Sequence, residues 1–135
     1  MTGPETAAGV GRPLLLITLS YLLDEGGEAR TVLRAVGEVD LSTADMLAEH
    51  LHRVLGTGAD AVVADLEAVS FISARGVDAL VQVAESARPR GIPFRVRAAD
   101  PRVVRVFELT GTVDLVGLRV SGSVARDGSD GAGPS

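Results

Sequence analysis

His50 and His52 are the side chains best suited to proton transfer or metal binding, and their spacing tells against both. Two positions apart on a helix, they point to different faces and cannot chelate as an i, i+4 pair does. They flank the apolar Leu51 and read as solvated. The chain has no cysteine, which removes disulfides, thiolate metal sites and cysteine nucleophiles and suits a reducing compartment. All 13 basic residues are arginine, so there is no Walker-type phosphate loop, no Schiff base and no lysine general base. No G-x-S-x-G elbow, G-x-G-x-x-G loop or carboxylate-rich metal loop occurs. A triad drawn from distant residues has no motif behind it. The sequence therefore assigns no catalytic residue, metal site or cofactor, and it predicts a binding domain rather than an enzyme.

The polar residues that remain of interest sit where strands give way to helices. One group is Asp40 and Ser42, in Gly37-Glu38-Val39-Asp40-Leu41-Ser42. The other is Ser73, in the segment Asp65-Leu66-Glu67-Ala68-Val69-Ser70-Phe71-Ile72-Ser73-Ala74-Arg75-Gly76-Val77. Ser73 could cap the helix that follows. Asp40 and Ser42 could form a turn and a cap.

These groups need elements to hold them. Leu14 to Leu23 and Ala29 to Val36 read as two strands, joined by Asp24-Glu25-Gly26-Gly27-Glu28, whose glycines tolerate a positive φ. Gly37 to Asp40 ends the second strand. Ser42 is expected to cap a helix from about Thr43 to Leu55, with Asp45 as the capping-box acid. Ala44, Leu47, Ala48, Leu51, Val54 and Leu55 form its apolar stripe, and Gly56 and Gly58 end it. Ala61 to Asp65 suits a strand buried on both faces, followed by a tight connection. Gly76 to Ala87 is the second helix, with Val77, Leu80, Val81, Ala84 and Ala87 inward and Pro89 and Gly91 beyond its end. Phe94 to Ala98 alternates, with Arg95 and Arg97 on one face. Asp100-Pro101 starts a third helix that Gly111 closes. Val103, Val106, Phe107 and Thr110 share one of its faces. Val113 to Val120 supplies a last strand. The order β-β-α-β-α-β-α-β implies crossover connections and an α/β fold with a small, mixed, mostly parallel sheet.

At 135 residues the chain has room for one domain. Residues 1–12 and 121–135 read as flexible tails rich in small and polar residues, leaving 13–120 as the domain. Aromatics are only 3%, so the core must be aliphatic. The apolar run Leu14 to Leu23 is too short to span a bilayer and lacks the flanks of a signal peptide, which places the protein in the cytoplasm. Residues 24–67 hold ten acids against Arg30, Arg34 and Arg53, while residues 88–105 hold six arginines against Asp100 alone. Such opposed lobes could steer a polar partner, but the simpler reading is a solvated strand and helix face. Nucleic-acid binding has no recognisable motif.

Three segments together resemble the STAS domain family, the anti-sigma factor antagonists of bacteria. Gly37-Glu38-Val39-Asp40 looks like the family's G-E-[LV]-D segment. Asp65 to Val77 looks like its D-L-S-x-V-x-F-[IM]-D-S-[ST]-G-[LV] switch. Phe107-Glu108-Leu109-Thr110-Gly111 looks like its F-x-L-T-G helix ending. The resemblance covers roughly Leu14 to Val120 and implies helices on one face of a small mixed sheet. It also implies a docking surface for an anti-sigma factor with a serine-kinase fold, carried onto Asp40, Ser42, Ser73, Ala74, Arg75, Gly76 and Val77. In the family the first serine of D-S-[ST]-G is phosphorylated. Here that tetrad reads Ser73-Ala74-Arg75-Gly76, so Ala74 stands at the acceptor position without a hydroxyl. Ser73, in place of the family's aspartate, is either an N-cap or a displaced acceptor. Arg75 sets a cation in the first helical turn, against the helix dipole. Gly76 could simply permit close packing.

The resemblance thus implies an antagonist that sequesters a kinase-type anti-sigma factor without the usual phosphorylation switch. A scaffold subunit of a signalling assembly or a lipid-transport complex is the alternative. A small-ligand or nucleotide sensor has no motif of its own. The sequence does not fix an oligomeric state.

Overall fold

The computed structural model describes residues 15–23 and 25–121. The expected element order is present: β1 (Leu15–Leu23), β2 (Ala29–Val39), α1 (Ala44–Leu55), β3 (Ala61–Ile72), α2 (Ala74–Ala87), β4 (Phe94–Ala98), α3 (Pro101–Thr110) and β5 (Leu118–Val120), with a short 3-10 turn at Arg88–Arg90. The five strands lie in sequence order, β1-β2-β3-β4-β5. β1 and β2 form an antiparallel hairpin, and the remaining neighbours are parallel. The tails expected at 1–12 and 121–135 lie outside the described residues, apart from Ser121. That residue's amide still donates to the Ala98 carbonyl at 2.8 Å.

This order explains the layering. Each crossover advances one strand in the same direction, and crossovers share one hand, so all three helices must fall on the same face. Alternation in the strands agrees. Leu33 and Ala35 of β2, Val62, Ala64 and Leu66 of β3, and Val96 and Ala98 of β4 are buried beneath the helices. Leu47, Leu51, Leu80, Val83, Val103 and Phe107 come down from the helices to meet them. The α1 stripe matches the expected set, with Ala48 half-buried. In α2 the inward face turns slightly, so Ala79 and Val83 are buried and Val81 is only half-buried.

Four expectations need correction. β3 does not stop at Asp65: it runs twelve residues to Ile72, and most of the supposed connection is strand. β2 likewise continues to Val39 and pairs with β3 throughout, with register shifts between Arg34 and Val36 and between Gly37 and Glu38. Irregular pairing of this kind blurs the two-residue alternation that would have marked the strand. Ser42 does not cap α1. The residue before the helix is Thr43, already helical in φ and ψ and without a side-chain cap bond. The last strand is only Leu118–Val120, because residues 113–117 form turns that end at Gly117, φ +61°.

Candidate functional site

The C-terminal ends of β2 and β3 bring the two polar groups together. Val39 and Ile72 are register partners, and the Ser73 amide donates to the Val39 carbonyl at 2.8 Å. The loop 40–43 and the start of α2 therefore leave the sheet side by side.

Asp40 organises its loop. Its Oδ1 accepts from the Ser42 amide at 2.9 Å, the Ser42 hydroxyl at 2.8 Å and the Thr43 amide at 3.0 Å. The Ser42 hydroxyl, aided by the Ser42 amide and by the hydroxyl and amide of Thr43, holds the Asp40 carboxyl below the usual carboxylate range, against the opposing effect of burial. The Thr43 hydroxyl lies 2.9 Å from the Glu38 carbonyl and 2.9 Å from the Asp40 amide, closing the turn from the other side. The Asp40 carboxylate thus takes the amides of Ser42 and Thr43, and its carbonyl takes the Ala44 amide at 3.0 Å, so the loop is closed by Asp40 and not by Ser42.

Ser73 is the N-cap of α2. Its backbone is extended, φ −84° and ψ 166°, and its Oγ accepts from the Gly76 amide at 3.1 Å. That bond satisfies one of the amides a helix start leaves unpaired. Ala74 and Arg75 follow, both exposed. The Arg75 Nη2 reaches both oxygens of Asp45, at 2.9 and 3.1 Å, and so ties the start of α2 to the start of α1. Asp45 is a partner for this cation rather than a capping-box acid. The pair also offsets the unfavourable placement of a cation at a helix N-terminus.

Gly76 and Val77 lie under this surface. Val77 is 1% exposed. A Cβ at Gly76 would sit 2.7 Å from Val39 Cγ1 and 2.8 Å from Ile72 Cγ1, so a side chain is excluded and the helix start rests directly on the strand ends. Of the seven residues carried over from the resemblance, Asp40, Ser42, Ser73, Ala74 and Arg75 reach the surface, whereas Gly76 and Val77 support it from below.

Two apolar residues at this end were not singled out from sequence. Leu41 is 74% exposed, and Phe71 is 46% exposed. Leu41 had a readable signal, since an apolar residue between Asp40 and Ser42 in a turn has no core within reach. Phe71 had none, because its outward face follows from the β2–β3 register. A shallow cavity of about 320 Å³ beside Phe71 is lined by Glu38, Ser70, Arg102 and Val106. Apolar groups ringed by polar ones form the ordinary anatomy of a protein-binding patch.

His50 Nδ1 lies 2.8 Å from the Met46 carbonyl, and His52 is exposed on another side of α1. Among the described residues no group of three or more His, Asp or Glu is placed to hold a metal. Nor, among them, is any helix long and apolar enough to cross a membrane.

Known structures share this frame. The chain is similar to an anti-sigma factor antagonist from Mycobacterium paratuberculosis at 28% identity and a TM-score of 0.66, over 82% of this chain and 91% of that one. It is similar in fold to SpoIIAA, an anti-sigma factor antagonist, in its unphosphorylated form, at 16% identity and a TM-score of 0.62, over 82% and 91% of the two chains. The phosphorylated form of SpoIIAA, a Bacillus cell fate determinant, superposes with a TM-score of 0.52 at 16% identity, over 78% and 95%. No curated protein sequence matches significantly. The family model for the STAS domain matches residues 23–126, which takes in both polar groups and the strands that join them, and the chain belongs to the STAS domain family.

Proposed function

We propose that this domain is an anti-sigma factor antagonist that captures an anti-sigma factor of serine-kinase fold through the surface formed by Asp40, Ser42, Ser73, Ala74 and Arg75. The observation that carries the reading is the joined pair of strand ends. Ser73 bonded to Val39, and Arg75 bonded to Asp45, hold loop 40–43 and the α2 start as one patch, with Leu41 and Phe71 exposed at the same end of the sheet. The solved Mycobacterium antagonist, similar over most of both chains, supports the same assignment.

Regulation differs from that of a phosphorylated family member. Ala74 has no hydroxyl, and the Ser73 oxygen is engaged in capping at 3.1 Å from the Gly76 amide. Binding is therefore independent of phosphorylation at this helix start. The exposed cation of Arg75 gives the patch a potential that an acidic or phosphorylated helix start would not have.

Affinity capture from the native cell with the wild-type, Arg75→Glu and Arg97→Glu proteins tests this. The wild type and Arg97→Glu should retain an anti-sigma factor of kinase fold, and Arg75→Glu should lose it. Charge reversal at the proposed interface sets a second acid beside Asp45 and opposes the partner's complementary charge. With ATP added, intact-mass analysis and peptide mapping should show no phosphate on residues 73–77. Loss of capture by Arg97→Glu alone, stoichiometric phosphate on Ser73, or retention of only a transporter component would overturn the reading.

A further inference from the structure

The sheet face opposite the helices is uncovered among the described residues, and it gathers arginines. Register places Arg34, Asp65, Arg97 and Arg119 in one row across β2, β3, β4 and β5. Asp65 is only 5% exposed. Its Oδ2 lies 3.2 Å from Arg34 Nη1 and 3.9 Å from Arg97 Nη1, and its Oδ1 accepts from the Glu67 amide at 2.9 Å. One carboxylate thus serves two arginines.

Toward the N-terminal ends of the parallel strands this row opens into a cavity of about 530 Å³. Arg30, Arg95, Arg97 and Arg119 line it, and Glu28 is the one acid in the lining. Arg30, Arg95 and Arg119 make no ion pair among the described residues. Arg97 and Arg119 face each other across neighbouring strands, a like-charge arrangement that disfavours the sheet. Gly117 contributes through its missing side chain. A Cβ there would lie 3.1 Å from the Phe94 carbonyl oxygen and 3.5 Å from Arg95 Cγ, so the approach to β5 is drawn in against the stem of Arg95.

We propose that this cavity is a binding site for a small organic polyphosphate. Planar guanidinium forks suit phosphate oxygens in paired hydrogen bonds. With Arg34 and Asp65 cancelling beside it, the four cations and one acid of the lining leave three positive charges. A single phosphate brings about −1.5 to −2, so two are needed for balance. The volume falls in the range of small-molecule sites. Val63 and Pro93 in the wall give an apolar portion of the ligand somewhere to rest. The site lies at the opposite end of β3 from Ser73 and does not depend on the anti-sigma reading.

Calorimetric titration of the full chain with sodium pyrophosphate, and separately with sodium citrate, tests the proposal. Pyrophosphate should bind saturably at one site per chain, more weakly as salt is raised, and more tightly than citrate. Arg95→Gln and Arg119→Gln should each weaken binding about tenfold or more without lowering the melting temperature of the unliganded protein. Arg53→Gln, on α1, should leave binding unchanged. No saturable binding, equal affinity for citrate, or undiminished affinity in both cavity variants would overturn the proposal. The capture experiment with Arg75→Glu would stand in any of these cases.

Discussion

Replacing Gly76 by alanine pits two effects of known sign against each other. Gly76 lies inside α2 with no positive φ. On helix propensity alone, Gly→Ala stabilises by about 0.5–1 kcal/mol. The new methyl would, however, stand 2.7 Å from Val39 Cγ1 and 2.8 Å from Ile72 Cγ1, roughly 0.8 Å inside good carbon–carbon contact. Neither neighbour can yield readily. Both are β-branched, with restricted χ1, and both are almost fully buried. The α2 start must lift from the strand ends, weakening the Ser73–Val39 and Arg75–Asp45 bonds. Overpacking of this kind costs about 1–3 kcal/mol. The net expectation is a loss of about 1–2 kcal/mol, or of order 5–10 °C in Tm for a domain of this size. Urea unfolding followed by circular dichroism measures it. Capture of the anti-sigma partner should fall in parallel, because the displaced helix start is the proposed docking surface. An unchanged or raised Tm would refute the reasoning, by showing that the strand ends and α2 are not held in contact.

Ser73→Ala should lower stability by about 1 kcal/mol through loss of the N-cap, while Ser73→Asp should restore it, since a carboxylate caps as well and suits the positive end of a helix; equilibrium unfolding of the two variants checks this. Acid should weaken the fold through Asp40 and Asp100. The Arg102 side chain and then its amide hold Asp100 down at about 2, from an ordinary 3.8, and Asp40 is lowered by Ser42 and Thr43. A depressed carboxyl contributes stability that is complete above about pH 4 and disappears as the pH falls through its folded value. The stability gap between wild type and Asp100→Asn should therefore be constant near neutrality and close as the pH falls from about 4 toward 2. A gap that does not change with pH would contradict the assignment.

Local signals carried the sequence reading a long way. Asp100-Pro101 and Gly111 bracket α3 as expected, and Ser73 caps α2. Cap, first-turn proline and left-handed glycine act within one helical turn and depend on nothing distant. The mixed, mostly parallel sheet also followed from element order, and the family resemblance implied helices on one face; both agree with the sheet order found.

What escaped the sequence was set by pairing across the fold. β3 extends to Ile72 because β2 runs beside it as far as Val39, through two register shifts that no local pattern announces. Arg75, judged alone, opposes a helix dipole and favours replacement by glutamate. Asp45, thirty residues away, supplies the carboxylate that makes it a bridge between helices. The basic stretch of residues 88–105 looked uniform in sequence, yet tertiary structure divided it. Arg88 and Arg90 went to an exposed turn and Arg102 to Asp100, while Arg95 and Arg97 joined Arg30 and Arg119 in one cavity. Composition determined that this chain would carry many guanidinium groups and no lysine. Only strand register, which brings β2, β4 and β5 residues within reach of one another, decided which of them share a site.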